Sequence, residues 1–153
     1  MVLVDTSVWI EVFRKSARVD LESLVDFDDV VTCLPVIQEV LQGFDSESAF
    51  MHARESMLAL PIVESPLGVD VHLESVDLYR SARRAGFTVR SSVDCVIAAC
   101  AIRHQLEVLH LDRDYTTIAR IAPLKERNIG SAKGARGAGG ASSARGASSA
   151  RGA

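Results

Sequence analysis

Four acidic residues occupy positions where a charged side chain is unusual, which makes them the first candidates for chemistry. Asp5 and Asp112 each directly follow a short, mostly apolar run. Asp94 lies near the start of a segment rich in isoleucine, alanine and cysteine, and Glu39 stands among valine, isoleucine and leucine. If these four segments of the chain meet, four carboxylates share one cleft.

Such a cluster needs a compensating charge. Two carboxylates about 4 Å apart repel by about 4 kcal/mol at an effective dielectric constant near 20, and a domain is stable by only about 5–15 kcal/mol. Four of them persist only if they are protonated or hold a cation. Oxygen ligands select Mg²⁺ or Mn²⁺, and a divalent ion beside a cleft is suited to hydrolysis of a phosphodiester.

Zinc is not supported by the sequence. Cys95 and Cys100 are five residues apart, so they do not share a helix face, and no pair of histidines has the spacing of zinc ligands.

Each acid also has an ordinary structural explanation. Asp5 can form an Asx turn, and Asp112 can cap a helix. Asp94 can interact with the dipole of its own helix, and Glu39 can lie on the surface. These alternatives stay open at the level of the sequence.

The elements that must position the acids alternate along the chain. The apolar pattern predicts short strands at residues 2–4, 30–33, 60–63 and 108–111. Helices are predicted after a cap at Thr6–Ser7 and at residues 21–27, 35–44, 47–58, 69–85, 93–106 and 115–121. This alternation predicts an α/β fold with a parallel sheet covered on both faces. Sites in such sheets form outside the carboxyl ends of the strands, where Asp5 and Asp112 stand.

Composition divides the chain into a single domain, residues 1–129, and a tail, residues 130–153. The tail contains only Gly, Ala, Ser, Lys and Arg, and SSARGA occurs in it twice. Because it has no large apolar side chain, we expect a flexible segment, of either natural or added origin. Residues 1–129 carry 13 basic and 20 acidic groups, a net charge of 13 − 20 = −7. That balance argues against binding nucleic acid through overall charge.

Other features of the sequence favour the cytoplasm. No apolar run approaches the ~18–20 residues of a transmembrane helix, and the first residues lack the basic stretch of a secretory signal. The cysteines, Cys33, Cys95 and Cys100, are odd in number and sparse. A disulfide framework is therefore not expected.

Four segments in order and spacing resemble the PIN-domain ribonucleases, and most of all the VapC-type toxins of bacterial toxin–antitoxin pairs. They are MVLVDTSVWIEVFR, PVIQEVLQG, SSVDCVIAACAIRH and VLHLDRDYTTIA, and the resemblance covers about residues 1–128. It implies a PIN-like α/β/α sandwich, an RNA substrate, a cognate antitoxin and a homodimer.

The resemblance also implies the roles of individual residues. The catalytic acids would be Asp5, Glu39, Asp94 and Asp112. The ligands of Mg²⁺ or Mn²⁺ would be Asp5, Asp94 and Asp112, with Glu39 and Asp114 as weaker members. Thr6 would supply a hydroxyl beside these ligands. Tyr115 stands where the family often has phenylalanine, and we expect both rings to fill the same apolar place.

Arginines offer a path for RNA. Arg80, Arg83 and Arg84 share a helix face by their spacing, and Arg90 follows on the way to Asp94. We interpret them as a possible track for phosphates. The alternative is a solvated helix face on which the arginines pair with nearby acids, Glu74 or Asp77.

Two other functions compete with a nuclease. A receiver-like signalling domain also gathers acids at strand ends, but it needs a lysine after a late strand. Outside the tail only Lys15 and Lys125 exist, and neither is there. A PIN-like domain that only binds RNA or protein is the second alternative, and the presence of all four acids argues against it. No glycine-rich nucleotide-binding motif occurs.

Overall fold

A sheet of five parallel strands forms the centre of the computed structural model, which describes residues 1–14 and 16–130. The strands are β1 (Val2–Val4), β2 (Val30–Cys33), β3 (Ile62–Val63), β4 (Glu107–His110) and β5 (Lys125–Asn128). Their order across the sheet is β3-β2-β1-β4-β5, and every pairing is parallel. In the central register, Val2 lies opposite Val30 on one side and Glu107 on the other.

Helices connect the strands and cover the sheet. They are α1 (Thr6–Phe13), α2 (Leu34–Leu41), α3 (Glu47–Leu58), α4 (Val69–Arg84), α5 (Ser92–Arg103) and α6 (Arg113–Ile118). One short 3₁₀ helix, Phe27–Asp29, precedes β2. The predicted α/β fold with a parallel sheet between helices is confirmed.

The core explains why each of the three central strands contains adjacent apolar residues. Leu3, Val31 and Val108 are fully or almost fully buried, because both faces of a parallel sheet are covered. Each such side chain contributes about 1.5–3 kcal/mol relative to an exposed one. Helix α5 packs against the same core through Ile97 and Cys100, so its first turn is held firmly at the edge of the sheet.

The structure corrects several boundaries. The fifth strand, Lys125–Asn128, was not predicted, because its four residues are polar. The last helix begins at Arg113 and ends at Ile118 instead of covering 115–121. The helical turn expected at 21–27 is a single turn, in which the Val25 N–H donates to the Leu21 carbonyl at 3.1 Å, and it leads into the short 3₁₀ helix. Apart from Gly130, the predicted tail lies outside the described residues.

All strands run in one direction, so their carboxyl ends lie at one edge of the sheet. Helices α1, α2, α5 and α6 begin at or near this edge. Among the helices of the described residues, none is long and apolar enough to cross a membrane.

Candidate metal centre

Asp5 links the ends of β1 and β4. It caps α1, where its Oδ2 accepts hydrogen bonds from the backbone N–H and the hydroxyl of Ser7, whereas the sequence predicted Thr6–Ser7 as the cap. Its Oδ1 accepts a 2.6 Å hydrogen bond from the hydroxyl of Tyr115. The Ser7 hydroxyl in turn accepts from the backbone N–H of Leu111 at 3.0 Å. The buried Asp5 carboxylate is therefore held in one orientation.

Asp112 and Asp114 are joined through Arg90. The Arg90 guanidinium donates to Asp112 Oδ1 at 2.7 Å and to Asp114 Oδ1 at 3.2 Å. Asp114 Oδ2 also accepts from the backbone N–H groups of Arg90 and Ser91, at 2.7 and 3.2 Å. Asp112 caps α6 by accepting from the backbone N–H of Asp114 at 2.9 Å. The capping role considered for Asp112 is thus real, and it also fixes where this carboxylate lies.

Asp94 is a buried acid without a cationic partner among the described residues. It lies in the first turn of α5, where its backbone N–H donates to the Ser91 hydroxyl at 3.2 Å. Burial and the nearby charge of Asp5 raise the pKa of Asp94 to about 7, against the lowering effect of its hydrogen bond with Ser91. Asp112 and Asp114 add smaller contributions in the raising direction. The Asp94 carboxylate is thus placed in a strongly negative environment.

Three carboxylates converge closely enough to share one cation. Asp94, Asp112 and Asp114 each offer an oxygen within 4.8 Å of the other two. Burial is the largest cause of the raised pKa of Asp94, and the negative charges of Asp5, Asp112 and Asp114 add to it. Three carboxylates with only Arg90 as a cationic partner fit a divalent cation with oxygen ligands. The family resemblance implied only a weaker role for Asp114 in such a site.

Asp5 is placed next to this group but is not one of the three. The negative charge of Asp5 raises the pKa of Asp94. The two oxygens of Asp5 accept hydrogen bonds from the hydroxyls of Ser7 and Tyr115. A carboxylate offers about four acceptor sites, so these hydrogen bonds leave capacity for a cation. The ligand set Asp5, Asp94 and Asp112 stays a prediction.

Glu39 is half-buried on α2 and is tied to α1. Its Oε2 accepts a 2.7 Å hydrogen bond from the Thr6 hydroxyl. The residue after Asp5 thus positions the fourth acid, while Glu39 Oε1 has no hydrogen bond among the described residues. The catalytic role of Glu39 stays a prediction.

Three positioning hydroxyls were missed or undervalued in the sequence. Ser7 was expected only as part of a helix cap, and Ser91 was given no role. Tyr115 was expected only to fill an apolar space, yet its fully buried ring brings its hydroxyl to Asp5. A buried tyrosine requires a hydrogen-bond partner, so a tyrosine in a position suited to phenylalanine was the available signal.

The four arginines are all exposed, but only Arg90 touches the acids. Arg80, Arg83 and Arg84 lie in the last turns of α4, and none of them forms an ion pair within the described part of the chain. Their role in binding RNA stays a prediction. The alternative pairing with Glu74 is not observed, because Glu74 contacts Arg103 instead.

The sequence pattern of the PIN domain matches residues 2–121, so the chain belongs to the PIN-domain family. Two curated relatives are similar over most of their length. VapC ribonuclease Mb1587 of Mycobacterium bovis and Ribonuclease VapC11 of Mycobacterium tuberculosis are each 37% identical over 130 residues, which span 82% of this chain and 96% of theirs. The resemblance drawn from the four sequence segments is confirmed.

Solved structures show the same fold at lower identity. VapBC-5 from Mycobacterium tuberculosis matches with a TM-score of 0.64 and 23% identity, covering 84% of this chain and 98% of that one. VapBC2 from Rickettsia felis, bound to a promoter DNA fragment, has a TM-score of 0.64 and 17% identity with the same coverage. VapC20 from Mycobacterium tuberculosis, described as a sarcin–ricin loop cleaving toxin, has a TM-score of 0.61 and 16% identity.

Proposed function

We propose that this chain is a metal-dependent endoribonuclease and the toxin of a VapBC-type toxin–antitoxin pair. The observation that carries the proposal is the convergence of Asp94, Asp112 and Asp114 within 4.8 Å at the carboxyl edge of the sheet. It occurs in a PIN-domain chain that is 37% identical to VapC ribonucleases.

The acids have distinct tasks in this proposal. Asp94, Asp112 and Asp114, with Asp5 beside them, hold Mg²⁺ or Mn²⁺. A divalent ion held there would supply activation of water and neutralisation of charge on the phosphodiester. Glu39, fixed on one oxygen by Thr6, uses its other oxygen to orient the attacking water.

Metal removal tests the enzymatic part. The purified chain should cleave structured RNA with Mg²⁺ or Mn²⁺ and should lose this activity in EDTA. Asp94→Asn should lower cleavage by about a thousandfold, since metal stabilisation of the transition state is worth several kcal/mol. Asp45→Asn, which changes an exposed acid outside the site, is the matched control. Equal cleavage by Asp94→Asn and the parent would place the active site elsewhere.

The partner in this proposal is an antitoxin with an arginine-bearing segment. Several solved relatives are described as VapBC toxin–antitoxin systems. The site is anionic, and Arg90 already demonstrates that Asp112 and Asp114 accept a guanidinium at 2.7 and 3.2 Å. A second guanidinium would pair with a free carboxylate in the same way, and it would exclude the metal and the phosphate together.

Growth of a bacterial host tests the toxin assignment. Expression of the intact chain should arrest growth, Asp5→Asn should not, and co-expression of the neighbouring small open reading frame should restore growth. Harmless expression of a chain that cleaves RNA in vitro would contradict the toxin role and leave the ribonuclease role intact.

The proposal also places the chain in the cytoplasm and makes it a homodimer. The three cysteines are buried free thiols, as a reducing compartment favours. Exposed Val69 and Leu73 on α4 offer an apolar surface for a second copy. Sedimentation of the purified chain measures its oligomeric state.

A further inference from the structure

The two oxygens of Asp5 are not equally available to a cation, because donors of the protein already occupy one of them. A carboxylate offers about four acceptor sites, or about two on each oxygen. Asp5 Oδ2 accepts from the backbone N–H of Ser7 at 3.0 Å and from the Ser7 hydroxyl at 2.5 Å. These two donors fill Oδ2, so it has no acceptor site left for a metal ion.

Asp112 and Asp114 show the same division between their two oxygens. Asp112 Oδ1 accepts from the Arg90 guanidinium at 2.7 Å and from the backbone N–H of Asp114 at 2.9 Å. Asp114 Oδ2 accepts from the backbone N–H groups of Arg90 and Ser91, at 2.7 and 3.2 Å. In both acids, as in Asp5, one oxygen is filled and the other keeps acceptor capacity.

The other oxygen of Asp5 is oriented by Tyr115. The Tyr115 hydroxyl donates to Asp5 Oδ1 at 2.6 Å, and the Tyr115 ring is fully buried. This ring packs against the ring of His110, with 4.9 Å between the ring centres. His110 Nε2 lies 2.7 Å from Glu126 Oε2, so the imidazole is held in turn by β5. The phenol is thus fixed in place, and Oδ1 keeps one acceptor site that points in one direction.

The number of oxygens that each carboxylate offers distinguishes one divalent ion from another. Ca²⁺ takes about six to eight oxygen ligands and accepts both oxygens of one carboxylate. Mg²⁺ is smaller, requires nearly octahedral geometry and keeps several water molecules, so carboxylates that offer one oxygen each are suited to it. A centre in which three acids each have a filled oxygen is therefore unfavourable for Ca²⁺.

We infer that Ser7 is a specificity-determining residue of the metal centre, which disfavours Ca²⁺ by filling Asp5 Oδ2, and that Tyr115 orients the oxygen that remains. The Ser7 hydroxyl is suited to this role because it also accepts from the backbone N–H of Leu111 at 3.0 Å, which fixes it between the ends of β1 and β4. This inference rests on the proposed metal-dependent function and names the class of cation that its site excludes.

Competition for bound Mn²⁺, followed by electron paramagnetic resonance, measures the affinities of the purified full chain for Mg²⁺ and Ca²⁺. The parent should bind Ca²⁺ no more tightly than Mg²⁺. Ser7→Ala frees an acceptor site on Asp5 Oδ2, so the affinity for Ca²⁺ relative to Mg²⁺ should rise about tenfold, a size typical of changes in groups that contact metal ligands. Ser56→Ala, which removes a hydroxyl that donates within α3, is the matched control and should leave this ratio unchanged.

Tyr115→Phe tests the second half of the inference, and it does so even if Ser7→Ala fails to fold. It removes the hydroxyl bonded to Asp5 Oδ1 and leaves Oδ2 filled by Ser7. Both affinities should therefore fall about tenfold, while their ratio stays within about twofold. Tyr79→Phe removes the hydroxyl of the other tyrosine in the chain and should change neither affinity. A changed ratio in Tyr115→Phe would contradict the division of roles between the two hydroxyls.

The Asp5→Asn background shows whether Ser7 acts through Asp5. An asparagine side chain has a single oxygen, so it cannot offer two to Ca²⁺ whether Ser7 is present or not. Adding Ser7→Ala to Asp5→Asn should therefore leave the ratio of the two affinities unchanged. A tenfold rise in this background would overturn the inference, because Ser7 would then act on another group.

The outcomes separate this inference from the proposed function. Equal ratios in Ser7→Ala and the parent would overturn the inference, and so would a parent that binds Ca²⁺ more tightly than Mg²⁺. In either case, a parent that cleaves RNA with Mg²⁺ keeps the proposed function. A parent that binds none of the three ions would remove both proposals.

Discussion

Two clusters of three acids surround an arginine in this molecule, and they differ in how completely the charge is compensated. Arg103 uses all three guanidinium nitrogens, contacting Glu64 at 2.7 Å, Asp70 at 2.9 Å and Glu74 at 2.7 Å. Arg90 contacts only two of the acids beside it and leaves Asp94 without a positive partner among the described residues.

This difference distinguishes an acidic cluster that stabilises the fold from one that can bind a metal ion. The Arg103 cluster ties the end of α5 to Glu64 and to the first turns of α4, and each of its acids contacts a donor. At the metal centre, burial and neighbouring charge raise the pKa of Asp94 to about 7. An acidic cluster whose own cations are too few is the one that requires a cation from outside.

The largest expected effect is on the free energy of unfolding of the metal-free protein. Asp94→Asn should raise the free energy of unfolding by up to about 4 kcal/mol at pH 8 in EDTA, because one pKa unit corresponds to about 1.36 kcal/mol. The pKa of Asp94 is raised in the folded state, from 3.8 to about 7, so the parent loses this stability as the pH rises between those values. Urea unfolding at pH 5 and pH 8 measures it, and the gain should be smaller at pH 5.

The matched control for Asp94→Asn is a substitution in the Arg103 cluster, where every acid has a cationic partner. Glu74→Gln removes one acid that already contacts Arg103, so it should not stabilise the protein and should cost about 0.5 kcal/mol. Equal stabilisation by Glu74→Gln and Asp94→Asn would show that the two clusters do not differ in compensation.

An intermediate effect is expected for Arg103→Gln. It leaves Glu64, Asp70 and Glu74 without their shared cation, so the protein should become less stable. Thermal unfolding should show this loss equally with and without Mg²⁺. A loss that Mg²⁺ repairs would mean that this cluster also binds the metal.

The smallest effect is expected for Arg90→Gln. Its exposed guanidinium contacts two acids, so its removal should lower the stability only slightly in EDTA. Saturating Mg²⁺ should restore the stability, because a ligand that binds only the folded state stabilises it. Titration with Mn²⁺ should also show tighter metal binding in the variant than in the parent. Weaker metal binding would show that Arg90 organises the ligands instead of competing with the ion.

The sequence predicted the sheet edge at which the acids meet, because a residue that directly follows a parallel strand must lie at the carboxyl end of that strand. Asp5 follows a buried strand, and Asp94 begins a buried helix, so both had to lie at the carboxyl edge. The contributions of Tyr115 and Arg90 depend on contacts across more than twenty residues. For Arg90 no local pattern reports these contacts, whereas for Tyr115 the signal was a tyrosine in a position suited to phenylalanine.

The fifth strand escaped prediction for a different reason. Lys125–Asn128 has no apolar alternation, since its backbone pairs with β4 while its side chains stay partly exposed. Arg127 supports it from the side by an ion pair with Glu107 at 3.1 Å. A strand that is held mainly by backbone hydrogen bonds to its neighbour has no hydrophobic pattern in the sequence.

The same polar strand bears on how the chain avoids aggregation. One border of the sheet is β5, with its charged Lys125–Asn128 segment, and the other is β3, which has only two residues. Charged or very short borders oppose the addition of further strands from other copies. Within the described residues, a toxin released from its antitoxin therefore presents no long apolar border of a sheet on which fibres could grow.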